Sequence, residues 1–274
     1  MKKKMVAVWA LAAVLCFGTA TISALAAEGW AQSGSTWVYY DSNGNKIYNT
    51  WKKGADNQWR YLNGEGVMAT NAWVESDYYM DSNGIMLTDK WLKLTGDQGE
   101  YEWYYFSSSG YMQTGVKRIG SKTYYFGGNG AMAVGWAYDE DDECWYHAAE
   151  DGELTKGWLH AGGAWYWFDS KYKMYNRGYR MVDAHKYYFY ENGQMAANQY
   201  VEMNYYDENG LRDKQYDITI QGKRRPTAEE KKGITEAMEG IPREWIRKFN
   251  ESGWELMFFT DKKYYSAPRT EQGI

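Results

Sequence analysis

The side chains best suited to bind a ligand are ten tryptophans that recur as pairs. One member precedes a short aromatic run and the other begins it. The pairs are Trp30 with Trp37, Trp51 with Trp59, Trp91 with Trp103, Trp136 with Trp145, and Trp158 with Trp165. A core would be filled equally well by Leu or Val, so repeated Trp favours a use for the indole face itself.

Two indoles and a third aromatic ring from the next repeat form a box of π-faces. Such a box attracts quaternary ammonium groups, and each cation–π contact contributes roughly 0.5–2 kcal/mol. We expect Trp167 to supply the third wall for the Trp136 pair and Tyr188 for the Trp158 pair. Several weak boxes on one array gain affinity because later contacts are intramolecular. The alternative is that every Trp and Tyr packs in a core, which we expect for most of the tyrosines.

The pairs belong to a repeat of about 21 residues. Its frame is W-x-Y, four residues, Gly, one residue and Met, and it occurs nine times between Trp30 and about Lys214. The third frame position holds Tyr39, Tyr61, Tyr79, Tyr105, Tyr125, His147, Trp167, Tyr188 and Tyr205. Nine aligned copies exclude chance and predict one structural unit per copy.

Each copy is predicted to be a β-hairpin. The aromatic run, such as residues 103–106 (WYYF), forms a strand, and a turn such as residues 41–44 (DSNG) follows. A short second strand carries the Met, and the first Trp of each pair lies in the loop that enters the hairpin. One hairpin cannot bury its face alone, so neighbours must stack. The predicted fold is all-β, a solenoid of stacked β-hairpin repeats, with a small α+β segment at the C-terminus.

Segments such as residues 157–168 (GWLHAGGAWYWF) resemble the cell-wall-binding repeats of choline-binding proteins of Gram-positive bacteria. The shared pattern is Gly-Trp, a W-Y-Y strand, a turn Gly, Met and a further Gly-Trp. This resemblance implies a hairpin solenoid that holds choline of teichoic acids between successive hairpins. Related repeats in toxins and glucan-binding enzymes bind sugars instead, so a carbohydrate-binding array remains an alternative.

Some copies depart from the family pattern. Repeats three, five, eight and nine have Asp77, Thr123, Lys186 and Met203 in place of the frame Trp. Tyr172 replaces the turn glycine of repeat seven. We expect these copies to act as structural spacers, with fewer binding sites than repeats, and the sites to concentrate in repeats six and seven.

The last sixty residues, 215–274, leave the frame and are predicted to form a separate small segment. Thr227 and Glu230 form the sequence of a capping box, and Pro242 opens a second helix. Residues 241–256 resemble the opening of a zinc peptidase domain related to anthrax lethal factor, which implies a truncated or degenerate domain. Such enzymes need an H-E-x-x-H motif, which the sequence lacks. The alternative is a helical cap that closes the array.

Residues 1–27 have the pattern of a secretory signal peptide, with three lysines, an apolar run and Ala24-Leu25-Ala26 before the cleavage site. The remaining chain, with 28 basic and 36 acidic residues, carries a charge of −8, which disfavours nucleic-acid binding. It keeps one cysteine, Cys144, so it forms no internal disulfide and no Cys-rich metal site.

Residues 28–214 are therefore interpreted as a non-catalytic array in a secreted, cell-wall-associated protein that binds choline-bearing teichoic acids or another surface polysaccharide. We expect no cofactor, no metal, and no membrane span after signal cleavage. The alternatives are a carbohydrate-binding array and the targeting module of an exported peptidase whose catalytic part is missing.

Overall fold

The computed structural model describes residues 28–96, 99–218, 220, 221, 225–253, 256 and 257. The predicted signal peptide lies outside these residues. The chain divides into two compact units, one ending at Met132 and the other beginning at Ala133. The domain boundaries expected from the sequence, after residues 27 and 214, stay predictions.

Antiparallel β-hairpins make up most of the regular secondary structure in the described chain, which confirms the predicted fold class. The nine hairpins among the described residues are β1 (Gly29–Ser33) with β2 (Thr36–Tyr40), β3 (Thr50–Lys53) with β4 (Trp59–Leu62), β5 (Ala72–Val74) with β6 (Tyr78–Met80), β7 (Lys90–Thr95) with β8 (Tyr101–Phe106), β9 (Gly115–Ile119) with β10 (Lys122–Phe126), β11 (Gly135–Asp139) with β12 (Cys144–Ala148), β13 (Gly157–Ala161) with β14 (Ala164–Phe168), β15 (Gly178–Val182) with β16 (His185–Phe189), and β17 (Gln199–Val201) with β18 (Asn204–Tyr206).

Each hairpin pairs two segments other than those predicted from the sequence. The first Trp of each pair lies in the first strand rather than in a loop, so that Trp158 is paired with Trp167 in register. The chain reverses between these strands at two-residue turns such as Gly162-Gly163, where both residues have positive φ, as a tight hairpin turn requires. The Met that was expected in a second strand forms only an isolated bridge, as Met174 does with Phe168.

Within each unit, a repeated backbone hydrogen bond joins neighbouring hairpins. The N–H of the frame Met donates to the carbonyl oxygen of the frame Trp in the preceding hairpin. This bond links Met68 to Trp37 (2.8 Å), Met86 to Trp59 (3.0 Å), Met132 to Trp103 (2.8 Å), Met174 to Trp145 (2.9 Å) and Met195 to Trp165 (2.8 Å). The bond fixes how far apart successive hairpins lie.

The core lies between hairpins and is built from the residue that follows the W-x-Y frame. This position ends the second strand and is fully buried in Leu62, Met80, Phe106, Phe126, Phe168 and Phe189. The thioethers of five frame methionines pack against the turn glycine of the next repeat, namely those of Met68, Met86, Met112, Met174 and Met195. A Cβ at Gly193 would lie 2.4 Å from the Met174 side chain, so this turn needs glycine for space as well as for its φ of +80°.

The C-terminal segment packs on the last hairpin. Helix α1 (Ala228–Glu239) begins at the predicted capping box, where the Glu230 N–H donates to Thr227 Oγ1 and the Thr227 N–H donates to Glu230 Oε2. Helix α2 (Arg243–Glu251) buries Ile246 against Tyr200 and Tyr205 of the ninth hairpin.

Two short strands, β19 (Ile220–Gln221) and β20 (Leu256–Met257), pair in parallel. No helix in the described part of the chain is long and apolar enough to cross a membrane.

Candidate ligand cages between hairpins

Three of the five tryptophan pairs share one geometry. The ring centroids are 6.3 Å apart for Trp91 and Trp103, 6.4 Å for Trp136 and Trp145, and 6.2 Å for Trp158 and Trp165. The two indoles of each pair are nearly perpendicular, with interplanar angles of 83°, 81° and 88°. Each pair thus presents two walls of an open corner.

A tyrosine from the next hairpin supplies a third wall to each corner. The ring of Tyr124 lies 5.0 Å from that of Trp91, Tyr166 lies 4.8 Å from Trp136, and Tyr187 lies 4.8 Å from Trp158. The buried Phe that ends the same strand forms the floor, at 5.8–5.9 Å from the first Trp in all three cases. We call each arrangement of two indoles and one tyrosine a cage and name it by its first Trp.

The third wall differs from the residue expected. Tyr166 rather than Trp167 lies against Trp136, and Tyr187 rather than Tyr188 lies against Trp158. Side chains alternate along a strand, so the first and third frame residues face the next hairpin whereas the middle residue faces the preceding one. Trp167 instead lies opposite Trp158 within its own hairpin, and Tyr188 lies opposite Tyr179.

The frame tryptophans of the three cages are open to solvent. Trp103, Trp145 and Trp165 are each 40% exposed. Four other frame-region tyrosines, Tyr104, Tyr125, Tyr146 and Tyr205, are buried. Packing therefore accounts for these tyrosines, while the exposed indole faces are available to a ligand.

The Trp158 cage forms a groove of about 270 Å³. Its lining residues are Trp158, Trp165, Tyr187, Met195 and Asn209. The lining combines aromatic faces and a thioether with one amide, which suits a small cation with an apolar surface.

Cations of the chain itself lie on some of the aromatic rings. Lys53 Nζ lies 5.0 Å from the Trp59 ring, and Lys93 Nζ lies 5.6 Å from the Trp103 ring. In the Trp136 and Trp158 cages the cross-strand neighbours of the frame Trp are Tyr138 and His160. These two cages, in repeats six and seven, thus have no lysine at that position.

Two predicted pairs do not complete this cage. Trp51 has a tyrosine wall, Tyr78 of the next hairpin at 5.0 Å, but it does not form with Trp59 the perpendicular indole contact at 6.2–6.4 Å that the three cages share. Trp30 and Trp37 line a common groove, where Arg60 stands at the position of the third-wall tyrosine. Sequence reasoning missed this position because the W-x-Y frame left its middle residue unspecified.

Repeats without a frame Trp still contribute to the arrangement. Tyr124 of repeat five and Tyr187 of repeat eight are third walls for the cages that precede them. In repeat eight, Lys186 Nζ lies 4.1 Å from the Tyr179 ring, so the chain's own ammonium covers that ring. In repeat three, Trp73 keeps its tyrosine wall, Tyr104, at 5.2 Å, and Asp77 replaces the second indole.

His147 is the titratable group beneath the Trp136 cage. Its ring lies 5.0 Å from Trp136, and its Nδ1 is 2.8 Å from Thr155 Oγ1. Burial lowers the pKa of His147 below its ordinary value, because the imidazolium loses hydration. The neutral ring is therefore the form that the fold favours.

Family models of choline-binding repeats match most of the array. A choline-binding repeat model matches residues 67–102, a second one matches residues 27–73 and 113–156, and a putative cell wall binding repeat matches residues 100–112, 156–171 and 178–195. Each of the three cages has its first tryptophan inside a matched stretch.

Solved structures with the same fold come from Streptococcus pneumoniae. Choline binding protein F, solved in the presence of a peptidoglycan analogue, is 32% identical with a TM-score of 0.54, over 65% of this chain and 61% of that one. CbpJ is 28% identical with a TM-score of 0.54, over 65% of this chain and 62% of that one.

Glucosyltransferase-S of Streptococcus mutans serotype c is 29% identical over 169 residues, which are 61% of this chain and 10% of the enzyme. The chain thus spans about a tenth of the length of this curated relative. The family models together match residues 27–171 and 178–195, more than half of the chain, so this chain belongs to the family of choline-binding repeat proteins.

Proposed function

We propose that this chain is a secreted, non-catalytic protein that attaches to the cell wall by binding choline on teichoic-acid-type polymers. The observation that carries the proposal is the threefold recurrence of one cage, with two indoles at 6.2–6.4 Å and a tyrosine at 4.8–5.0 Å. Aromatic faces set at right angles contact several methyl groups of a trimethylammonium at once.

The weak choline affinity expected of one cage suits a polymer that carries many cholines better than it suits free choline. Three cation–π contacts of roughly 0.5–2 kcal/mol each correspond to a weak site once the entropy of association is subtracted. Each polymer repeat offers a further choline to the next cage, so the second and third contacts are intramolecular. Weak, repeated cages on one chain are therefore suited to a surface polymer that carries many cholines.

Long-range electrostatics support a cationic ligand. After removal of residues 1–27 the chain carries 28 basic and 36 acidic residues, and a net charge of −8 attracts cations and repels nucleic acid. Secretion is supported by the signal-peptide pattern of residues 1–27.

Retention on choline-agarose tests the proposal. The purified chain without residues 1–27 should bind the resin at physiological salt and be released by free choline. Release by a neutral oligosaccharide, but not by choline, would favour the carbohydrate-binding alternative. Flow-through of protein whose far-UV and near-UV circular dichroism show it to be folded would contradict choline binding.

A second candidate is supported by the match to the glucosyltransferases, in which similar repeats occupy a small part of a large enzyme. In that role the array is a targeting module for a catalytic domain encoded next to it. An H-E-x-x-H or another catalytic motif downstream in the gene would support this role.

A further inference from the structure

The groove between the first and second hairpins is a variant of the Trp158 groove. Four lining positions hold the same residue types in both. Trp30, Trp37, Met68 and Asn83 correspond to Trp158, Trp165, Met195 and Asn209. The fifth position is Arg60 in the first groove and Tyr187 in the other. Among these five shared positions one residue type differs, and it falls on the third wall. Gly54, Ala55 and Asp56 line the first groove in addition.

The guanidinium of Arg60 is held in place by a carboxylate. Arg60 Nη1 and Nη2 donate to the two carboxylate oxygens of Asp56 at 2.8 and 2.7 Å, which is a bidentate pair. These bonds hold the pKa of Asp56 far below its usual range, so the carboxylate stays ionised. Gly54 leaves room for the pair, since a Cβ there would lie 2.2 Å from Arg60 Nη1.

This third wall disfavours the ligand proposed for the cages. A quaternary ammonium that entered between Trp30 and Trp37 would meet a guanidinium where the other cages offer a π-face, and the two like charges would repel. An anion is disfavoured as well, because Asp56 lines the same groove and neutralises the guanidinium. The groove therefore disfavours both cationic and anionic ligands.

The size and the polar groups of the groove fit a neutral, polyhydroxylated ligand. Its volume is about 480 Å³, compared with about 270 Å³ for the Trp158 groove. Trp30 is fixed by a hydrogen bond from its Nε1 to the Lys53 carbonyl oxygen, and Trp37 is 41% exposed. The two indoles offer flat apolar faces, while Arg60 donates, Asp56 accepts, and Asn83 can do both.

From this combination we propose that the first groove binds a neutral saccharide rather than choline. The C–H face of a pyranose packs on the indoles, and its hydroxyls bond to the Arg60–Asp56 pair and to Asn83. If the cages bind choline, as proposed above, the chain engages both the sugar and the choline parts of a surface polymer. The proposal for this groove stands whether or not the other cages bind choline.

Ligand-observed NMR of the chain without residues 1–27 tests this assignment, with chitotriose and isomaltotriose as probes. At least one trisaccharide should show saturation transfer that saturating choline does not displace. Arg60→Tyr should weaken that binding at least tenfold and add one equivalent of bound choline, since it restores the aromatic wall. Trp245→Phe, on the exposed face of α2, is the control and should leave trisaccharide binding unchanged.

Asp56→Asn, a change at an exposed carboxylate, is a second variant in case Arg60→Tyr does not fold. It leaves the guanidinium uncompensated and should weaken trisaccharide binding while it permits binding of phosphocholine. The assignment is overturned if folded wild-type protein binds neither trisaccharide, if choline displaces them, or if Arg60→Tyr leaves their affinity unchanged. Choline-agarose retention, which depends on the other cages, reports separately on the proposed function.

Discussion

Trp136 and Tyr166 lie 4.8 Å apart, ring centroid to ring centroid, at an interplanar angle of 65°, although they belong to successive hairpins. The contact means that a cage exists only when two hairpins are stacked. Binding and folding are therefore coupled locally, because a cation held between two hairpins stabilises their stacking.

The third wall of the Trp136 cage should be replaceable by another ring but not by an aliphatic side chain. Tyr166→Leu keeps apolar bulk and removes the π-face, and it should remove roughly 0.5–2 kcal/mol of choline binding, about a 2- to 30-fold loss at that cage. Tyr166→Phe is the control and should bind nearly as wild type. Equal choline affinities of the Leu and Phe variants in isothermal titration calorimetry would show that the Tyr166 ring does not contribute to binding.

Replacing the turn glycine that contacts the frame Met with alanine should destabilise the protein more than the same change at a glycine of similar φ that lacks this contact. Gly193 and Gly163 have φ of +80° and +78°, but a Cβ meets the Met174 side chain at 2.4 Å only at Gly193. Gly163→Ala should cost about 1–2 kcal/mol for the left-handed conformation alone. Gly193→Ala should cost about 1–3 kcal/mol more because of overpacking.

Urea unfolding followed by tryptophan fluorescence measures this difference. Equal losses of unfolding free energy in the two alanine variants would show that the Met contact contributes nothing.

The stability of the second unit should depend on pH through His147. Burial lowers the folded-state pKa of His147 below 6.5, so the unfolded chain binds more protons between the two pKa values. The contribution is therefore fully present above about pH 6.5 and is lost as the pH falls toward the folded-state pKa. His147→Tyr, which restores the residue of the repeat frame, should remove this component.

Thermal unfolding at pH 5, 6, 7 and 8 compares the two proteins. The Tm of wild type should fall relative to that of His147→Tyr between pH 7 and 5. If the Tm difference between the two proteins stays constant over this range, His147 is not responsible for the pH dependence of stability.

Removal of an intrinsic cation should improve choline binding in repeat two. Lys53 Nζ lies 5.0 Å from the Trp59 ring and repels a second cation there, by roughly 1 kcal/mol in a water-exposed setting. Lys53→Gln should therefore tighten choline binding about fivefold at Trp51 and Trp59. Lys156→Gln makes the same change of net charge elsewhere on the array, and an equal effect of both would assign the gain to net charge.

Sequence periodicity was sufficient to predict the hairpin class and the tryptophan pairs, because turn residues and aromatic spacing depend on local geometry. The strand partners were assigned incorrectly because the two-residue turns vary in sequence, from Gly162-Gly163 to Asp183-Ala184. The third walls were also missed, since Tyr166 and Tyr187 face the preceding hairpin and only the stacking direction reveals this. Arg60 could have been noticed as the one arginine in a position that tyrosine fills in the three cages.

Choline titration of the double variant Trp145→Phe, Trp165→Phe tests the central claim most directly. Both changes keep a ring but weaken the cation–π face in the two cages whose frame Trp lies opposite Tyr138 or His160 rather than a lysine, since Trp binds cations better than Phe. The double variant should bind choline several-fold more weakly, with a Tm close to that of wild type. Trp245→Phe, on the exposed face of α2, is the control and should bind as wild type. An unchanged choline isotherm in the folded double variant would contradict the assignment and leave those indoles as packing residues.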